Sequence, residues 1–443
     1  MTRTLLVLSA LTLASSALAA ERTLNVPVTA TAGQPVPVSM TLLRVRDTLG
    51  ADFAVNWNSL RVLAGTREVP YQIDDLDGNG RVSGPDELAF LASGPVTLKV
   101  SDTEAAAPTY PATMTVTKTG DNQTIAAGTL KVEVTPKGLT RILNAQGGVM
   151  ADEIGNLRVE GFNNSTFWKD KALGAYLEGK TTLSGMDVKS VAVLKPGPVR
   201  TVVVSRLSSP DFVGLEQTLV SRVYGNGMVD VTSTVVSRGY ADMMKLEHQA
   251  TRLMSELDPD ALHITPLFRR VGYAEFTKQT PDVYFGDKDR NALLKVGGKN
   301  YVSYKLSGNL RPAFWGAPYL FVSPEAWRTN YSTTAKMGVA ELAYGTPALA
   351  KDWTTFVQGD QWQFESGEFR TGLFKWLPDE LKKTEAGAAL ATQPDPWVSH
   401  LYPGDTFTWH YLYEPYTAAD ANAAVGYLEK RAADLASISL SKP

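Results

Sequence analysis

The sequence predicts a mostly β protein of antiparallel sheets, with a small N-terminal β-sandwich, a large second sandwich and a C-terminal amphipathic helix. Three observations carry this. From Thr23 to about Val100, apolar and polar residues alternate in short runs such as Val36-Pro37-Val38-Ser39-Met40 and Ser59-Leu60-Arg61-Val62-Leu63, separated by Gly/Asp/Asn clusters. A period of two places successive side chains on opposite faces of a strand. The same alternation resumes beyond residue 112, and the last thirty residues switch to helical spacing.

Taken in order, residues 1–20 read as a signal peptide: a positive Arg3, an apolar core from Leu5 to Ala14, and a small-residue exit at Ala17-Leu18-Ala19. That core is about half the roughly 20 residues needed to span a bilayer, and no later segment is long and apolar enough. The expected mature chain is exported, periplasmic, envelope-associated or extracellular, with no transmembrane segment. Residues 21–103 form the expected small β domain. The stretch 104–111, with Pro108 and Pro111, loses the alternation and reads as a linker. Residues 112–443 form the expected large domain, with strands at 129–135, 188–194, 199–207, 215–224 and 228–237. The last two are joined by Gly225-Asn226-Gly227, a hairpin signal because Gly and Asn tolerate positive φ. Residues 243–257 fit a short helix or a bent strand equally well. At the C-terminus Ala421, Ala424, Val425, Leu428 and Leu435 recur at helical spacing, with Thr417 as the expected cap.

The chain has no cysteine, so disulfides and thiolate metal sites are excluded and an exported fold must be held by burial or by a hard-metal site. A net charge of −3 offers no electrostatic footprint for nucleic acid. There is no G-x-S-x-G elbow, phosphate-cradling loop, H-E-x-x-H motif or dinucleotide fingerprint.

The sharpest motif is the run from Asp74 to Glu87. Asp75, Asp77 and Asn79 stand at positions one, three and five of a calcium-type loop, and Gly80 is at the sharp-turn position six. Arg81 offers a backbone carbonyl at seven, Ser83 stands at nine, and Asp86 at twelve with Glu87 adjacent. Alternate oxygen-bearing side chains in a tight turn converge on one centre, and calcium accepts six to eight oxygens with flexible geometry. Tyr71-Gln72-Ile73 ahead of the loop reads as strand, so the loop is grafted between β elements. The alternative is an Asp/Asn/Gly-rich turn without metal.

Two further patterns bear on chemistry. Seven of the nine tryptophans fall in the last third of the chain; such rings either fill a core or stack on the C–H faces of sugars. Trp315, in Arg311-Pro312-Ala313-Phe314-Trp315-Gly316, and Trp168, beside Lys169, Asp170 and Lys171, lie in turn-rich, charged contexts and are the candidate substrate-binding residues. Histidine is scarce, at four residues, and His248 stands four residues from Arg252, a spacing that puts both on one face. They are the candidate catalytic pair, with separate structural hydrogen bonds as the alternative.

Two stretches resemble known families. Val69-Pro70-Tyr71-Gln72-Ile73-Asp74-Asp75-Leu76-Asp77-Gly78-Asn79-Gly80, continuing to Asp86-Glu87-Leu88-Ala89-Phe90-Leu91, resembles secreted bacterial polysaccharide-utilisation proteins related to exo-acting rhamnogalacturonan lyases. The stretch from Lys195-Pro196-Gly197-Pro198-Val199-Arg200 to Gly227-Met228-Val229-Asp230-Val231 resembles the sheets of mutarotase-like sandwich domains. The resemblance implies a small β domain followed by a carbohydrate-associated, mutarotase-like sandwich. The expected function is a carbohydrate-active or carbohydrate-binding protein whose partner is a saccharide or cell-envelope polymer. If catalytic, it is a lyase on uronic-acid-containing glycan, in which Arg252 stabilises an enolate while His248 or a Tyr takes the C5 proton. The alternative is a non-enzymatic cell-envelope structural or interaction protein.

Overall fold

A computed structural model describes residues 20–170, 174–253, 261–266, 291–305, 327–343, 356–363, 368–375 and 399–437. The chain is mostly β, its sheets are antiparallel, and a helix closes the C-terminus. The signal segment 1–19 and Trp315 lie outside the described residues.

The first unit contains β1 (Glu21–Val26), β2 (Val36–Thr41), α1 (Leu42–Leu49), β3 (Asn56–Ala64), β4 (Arg67–Glu68), β5 (Tyr71–Asp74), β6 (Glu87–Ala92) and β7 (Val96–Ser101). Its two sheets run in the orders β1-β7-β3-β4 and β2-β6-β5. The alternation seen in the sequence is the burial pattern: Leu60, Val62, Leu98 and Val100 from one sheet meet Val36, Val38, Leu88 and Phe90 from the other in one apolar cluster. Helix α1 was not foreseen. It exists because Leu42, Val45 and Leu49 form a buried stripe, Thr41 Oγ1 accepts from Arg44 N, and Gly50 takes the left-handed conformation at its end, φ 58°.

Beyond the coil at residues 102–113, a ten-stranded sheet forms the middle layer of the molecule. Its strands are, in spatial order, Asp187–Val193, Arg200–Ser208, Leu215–Tyr224, Val229–Ser237, Thr406–Thr417, Met337–Ala343, Trp327–Ser332, Leu262–Pro266, Lys299–Lys305 and Asn291–Val296. One face, through Val199, Tyr224, Trp327, Tyr331, Leu342 and Leu412, shares an apolar cluster with the first unit and the C-terminal helix. The other face, through Val203, Leu219, Val231, Val339, Trp409 and Tyr411, packs on Ile125, Val132, Ile142, Met150 and Val159 of an eleven-stranded sheet. Trp327 and Trp409 are thus core residues. The hairpin at 225–227 forms as expected, with Gly227 at φ 86° and its N–H donating to Tyr224 O at 2.9 Å.

Two local expectations are settled. Of the stretch 243–257, read as either a short helix or a bent strand, the described residues belong to a strand, Ala241–Leu253, which pairs with Leu157–Asp170 and with Glu368–Lys375. Helix α2, Ala421–Ser437, is capped by Asp420, whose Oδ1 accepts from Ala423 N at 2.8 Å, whereas Thr417 ends the preceding strand. The helix begins one residue after Asp420, three residues too late for the Thr417 hydroxyl to reach its free amides. The buried stripe of α2 is Ala424, Val425, Leu428, Arg431, Asp434 and Leu435.

Candidate metal site

Strands β5 and β6 pair so that Asp74 lies opposite Glu87, and the twelve residues 75–86 form the loop between them. Asp75 organises its first half: Oδ1 accepts from Gly78 N at 2.7 Å and from Asn79 N at 3.2 Å, and Oδ2 accepts from Gly80 N at 2.8 Å. These amides, Gly80 first, hold the Asp75 carboxyl below the usual carboxylate range. Gly78 and Gly80 both take positive φ, 72° and 71°, which lets the amides turn inward. Asp77 Oδ1 accepts from Asn79 N at 3.1 Å, Asn79 Oδ1 accepts from Arg81 N at 2.7 Å, and Ser83 N donates to Asp86 Oδ2 at 2.6 Å. The Ser83 hydroxyl lies 3.4 Å from both Asp77 Oδ2 and Asp86 Oδ2.

The outcome is a convergence of three carboxylates. Asp75, Asp77 and Asp86 each offer an oxygen, and these oxygens lie within 4.8 Å of one another. Oxygens bound to one calcium ion at 2.3–2.6 Å cannot be more than about 5 Å apart, so the three fit a single coordination sphere. Asp86 is fully buried, and its Oδ1 has no hydrogen-bond partner. A buried carboxylate oxygen with nothing to accept from carries a desolvation cost that a bound cation removes. The donor set is all oxygen, which suits calcium and not zinc. Of the residues singled out from the sequence, the loop brings Asp75, Asp77, Asn79, Ser83 and Asp86 together, with Arg81 held by its backbone.

Glu87 is engaged elsewhere, at a junction that sequence reasoning did not find. Arg200, fully buried, donates from Nε to Asp74 Oδ2 at 2.7 Å and from Nη2 to Glu87 Oε2 at 2.6 Å. Arg222 takes both oxygens of Glu87, from Nε at 2.8 Å and Nη2 at 2.9 Å. Burial alone would push the Glu87 carboxyl up, but Arg222 and then Arg200 outweigh it and hold it at about 2. Gln72 completes the junction: its Oε1 accepts from Val199 N and Arg200 N, each at 2.9 Å, and its Nε2 donates to Arg200 O at 3.0 Å.

His248 and Arg252 fall in the strand Ala241–Leu253, His248 opposite Leu157 and Thr371, Arg252 opposite Asp152. A register irregularity between His248 and Ala250 interrupts the period of two between them. Trp168 lies opposite Tyr176 on the neighbouring strand. The side chains of Trp168, His248 and Arg252 lie outside the described residues. A second polar cluster sits on the ten-stranded sheet. Arg328 Nη2 donates to Glu341 Oε2 at 2.7 Å, Tyr413 OH donates to the same oxygen at 3.1 Å, and His263 Nδ1 lies 2.6 Å from Asn330 Oδ1.

No protein-family model matches the chain, and no curated protein sequence matches it. Among solved structures it is similar to an α-mannosidase from Enterococcus faecalis V583, with 10% identity and a TM-score of 0.45 over 94% of this chain and 45% of that one. It is similar also to a glycosyl hydrolase family 38 protein from Enterococcus faecalis, with 9% identity and a TM-score of 0.44 over 94% of this chain and 46% of the other. A third similarity is to the Slr1438 protein of Synechocystis sp. PCC 6803, with 8% identity and a TM-score of 0.29 over 71% and 99%. The chain therefore spans about half the length of the first two, and no residue role carries over from any of the three.

Proposed function

We propose that the 75–86 loop binds one calcium ion and that the chain is an exported, saccharide-handling β protein whose first unit that ion locks. The observation that supports calcium is the convergence of Asp75, Asp77 and Asp86 with a fully buried, unpartnered Asp86 Oδ1. Asp75, Asp77 and Asp86 supply carboxylate oxygens, while the Ser83 hydroxyl and Asn79 side chain lie beside them. Bound there, the ion reverses the repulsion among three anions and ties the two halves of the loop together. Isothermal titration of the full mature chain with calcium chloride is expected to give one ion per chain. Asp86→Asn, which keeps shape but loses the charge, should weaken that binding; equal affinity in the variant sinks the assignment.

Saccharide handling is supported by the resemblance of residues 69–91 to polysaccharide-utilisation proteins and by the signal-like first twenty residues. The finer reading is a β-eliminating lyase on uronic-acid-containing glycan. His248 or a Tyr takes the C5 proton, Arg252 stabilises the enolate, the C4–O bond breaks with its electron pair leaving on O4, which takes up a proton from water, and Trp168 and Trp315 orient the sugar. Incubation with a panel of uronate polysaccharides should produce absorbance from unsaturated products, lost in His248→Ala with the melting temperature kept. A flat trace across the panel removes the lyase and leaves a non-enzymatic binder.

A further inference from the structure

The two residues that close the loop also help fasten the first unit to the ten-stranded sheet. Asp74 and Glu87 face each other across the β5–β6 ladder, each one residue outside a carboxylate of the candidate site. Arg200 bridges the pair, and its Nη1 also donates to Ser39 Oγ on β2 and to Tyr224 OH on the sheet. Arg222 grips both oxygens of Glu87. The second half of the loop has its own attachment, since the first two amides of α1, on Leu42 and Leu43, donate to Asp86 O and Gly84 O, each at 2.9 Å. Fit is close at this junction: a methyl at Gly197 would stand 2.2 Å from Gln72 Oε1.

We infer that calcium in the 75–86 loop and docking of the first unit on Arg200 and Arg222 are one coupled equilibrium, each strengthening the other. The inference rests on the calcium reading above. Without a cation, Asp75, Asp77 and Asp86 repel one another beside two further anions, Asp74 and Glu87, and the hairpin base is pushed to spread. A spread base strips counter-anions from Arg200, which is fully buried, and an unpaired buried guanidinium is too costly to stay docked. With the ion in place the loop closes, Asp74 and Glu87 are held in register, and both arginines find their carboxylates. Coupling free energies are reciprocal, so the docked arginines must raise calcium affinity by the factor by which calcium favours docking.

The sign of one variant separates this from plain electrostatics. Arg222→Met deletes a cation beside the loop, so Coulomb repulsion alone would make calcium bind tighter. Coupling makes it bind weaker, on the order of tenfold. Gln72→Ala, which changes no charge but releases Val199 and Arg200, should weaken binding severalfold and keeps the test alive if Arg222→Met fails to fold. Calcium chloride is titrated into the full mature chain and both variants, and amide hydrogen exchange is followed at Val199 and Arg200 with calcium and with chelator. Weaker binding in the variants, with calcium slowing exchange at 199 and 200 in the wild type, supports the coupling. Unchanged or tighter binding, with protection confined to 75–86, overturns it while leaving the calcium site standing. No calcium uptake by the wild type overturns the reading beneath it.

Discussion

Arg431 provides the most direct test of how the C-terminal helix is fastened. Its guanidinium is fully buried, donating from Nε to Glu414 Oε2 at 2.7 Å, from Nη1 to Gln34 O at 3.2 Å and from Nη2 to Pro35 O at 3.0 Å. It joins α2 to the middle sheet and to the first unit at once. Arg431→Met keeps most of the volume but leaves Glu414, itself buried, without its cation, and leaves two carbonyls without their donor. Breaking a buried pair from one side costs about 3–5 kcal/mol. The lower end is expected, because Tyr427 OH still donates to Glu414 Oε1. Adding Glu414→Gln should recover part of the loss, on the order of 1–2 kcal/mol, since a neutral amide carries no buried charge.

The loss should also depend on pH. Burial already pushes the Glu414 carboxyl up, with Arg431 opposing, so removing Arg431 raises it further. A carboxyl raised in the folded state binds more protons folded than unfolded. Stability of the variant therefore falls as pH rises from the ordinary 4.5 through the raised folded value, and its deficit against wild type is smallest on the acid side. Urea unfolding of wild type, single and double variants at pH 5 and pH 8 measures this. A single variant costing under about 1 kcal/mol, or a double variant no more stable than the single, refutes the reasoning.

Other perturbations follow the same logic. Gly227→Ala is expected to cost about 2–4 kcal/mol in chemical unfolding, because φ is 86° and the new methyl would meet Leu130 Cδ1 at 2.3 Å; a loss below 1 kcal/mol would mean the hairpin relaxes freely. Burial pushes the His263 imidazole down to about 3 from 6.5, so the unfolded chain takes up a proton first and stability drains as pH falls from 6.5 toward 3. His263→Gln should lack that slope, so the difference between the wild-type and variant stability curves should change by about 1.4 kcal/mol per pH unit across this range; parallel curves would contradict the assignment.

The sheets were legible because their burial follows a period of two: 215–224 is found as read, the strand read at 199–207 is found one residue later at 200–208, and that read at 228–237 starts one residue later at 229. Helix α1 was hidden because three buried apolar residues among eight are too few to separate a helical from an alternating pattern. The candidate metal loop was legible for a different reason, in that Asp75, Asp77 and Asp86 come from one short stretch and spacing alone brings their oxygens together. The junction was not. Asp74 lies 126 residues from Arg200, and Glu87 lies 135 from Arg222, so each partner reads in isolation as a charged residue on a strand. Only the fold reveals that Arg200 and Arg222 stand inside the molecule with their anions at the foot of the loop.

Thermal unfolding of the full chain, with calcium and with chelator, tests the proposed calcium loop most directly. An ion that binds only the folded state stabilises it by about 2.7 kcal/mol at a hundredfold excess over its dissociation constant. The wild-type melting temperature is expected to fall on chelation and to recover with added calcium, while Asp75→Asn/Asp77→Asn should melt at one temperature in both conditions. A wild-type curve that ignores both chelator and millimolar calcium would contradict the site and leave residues 75–86 as a polar turn.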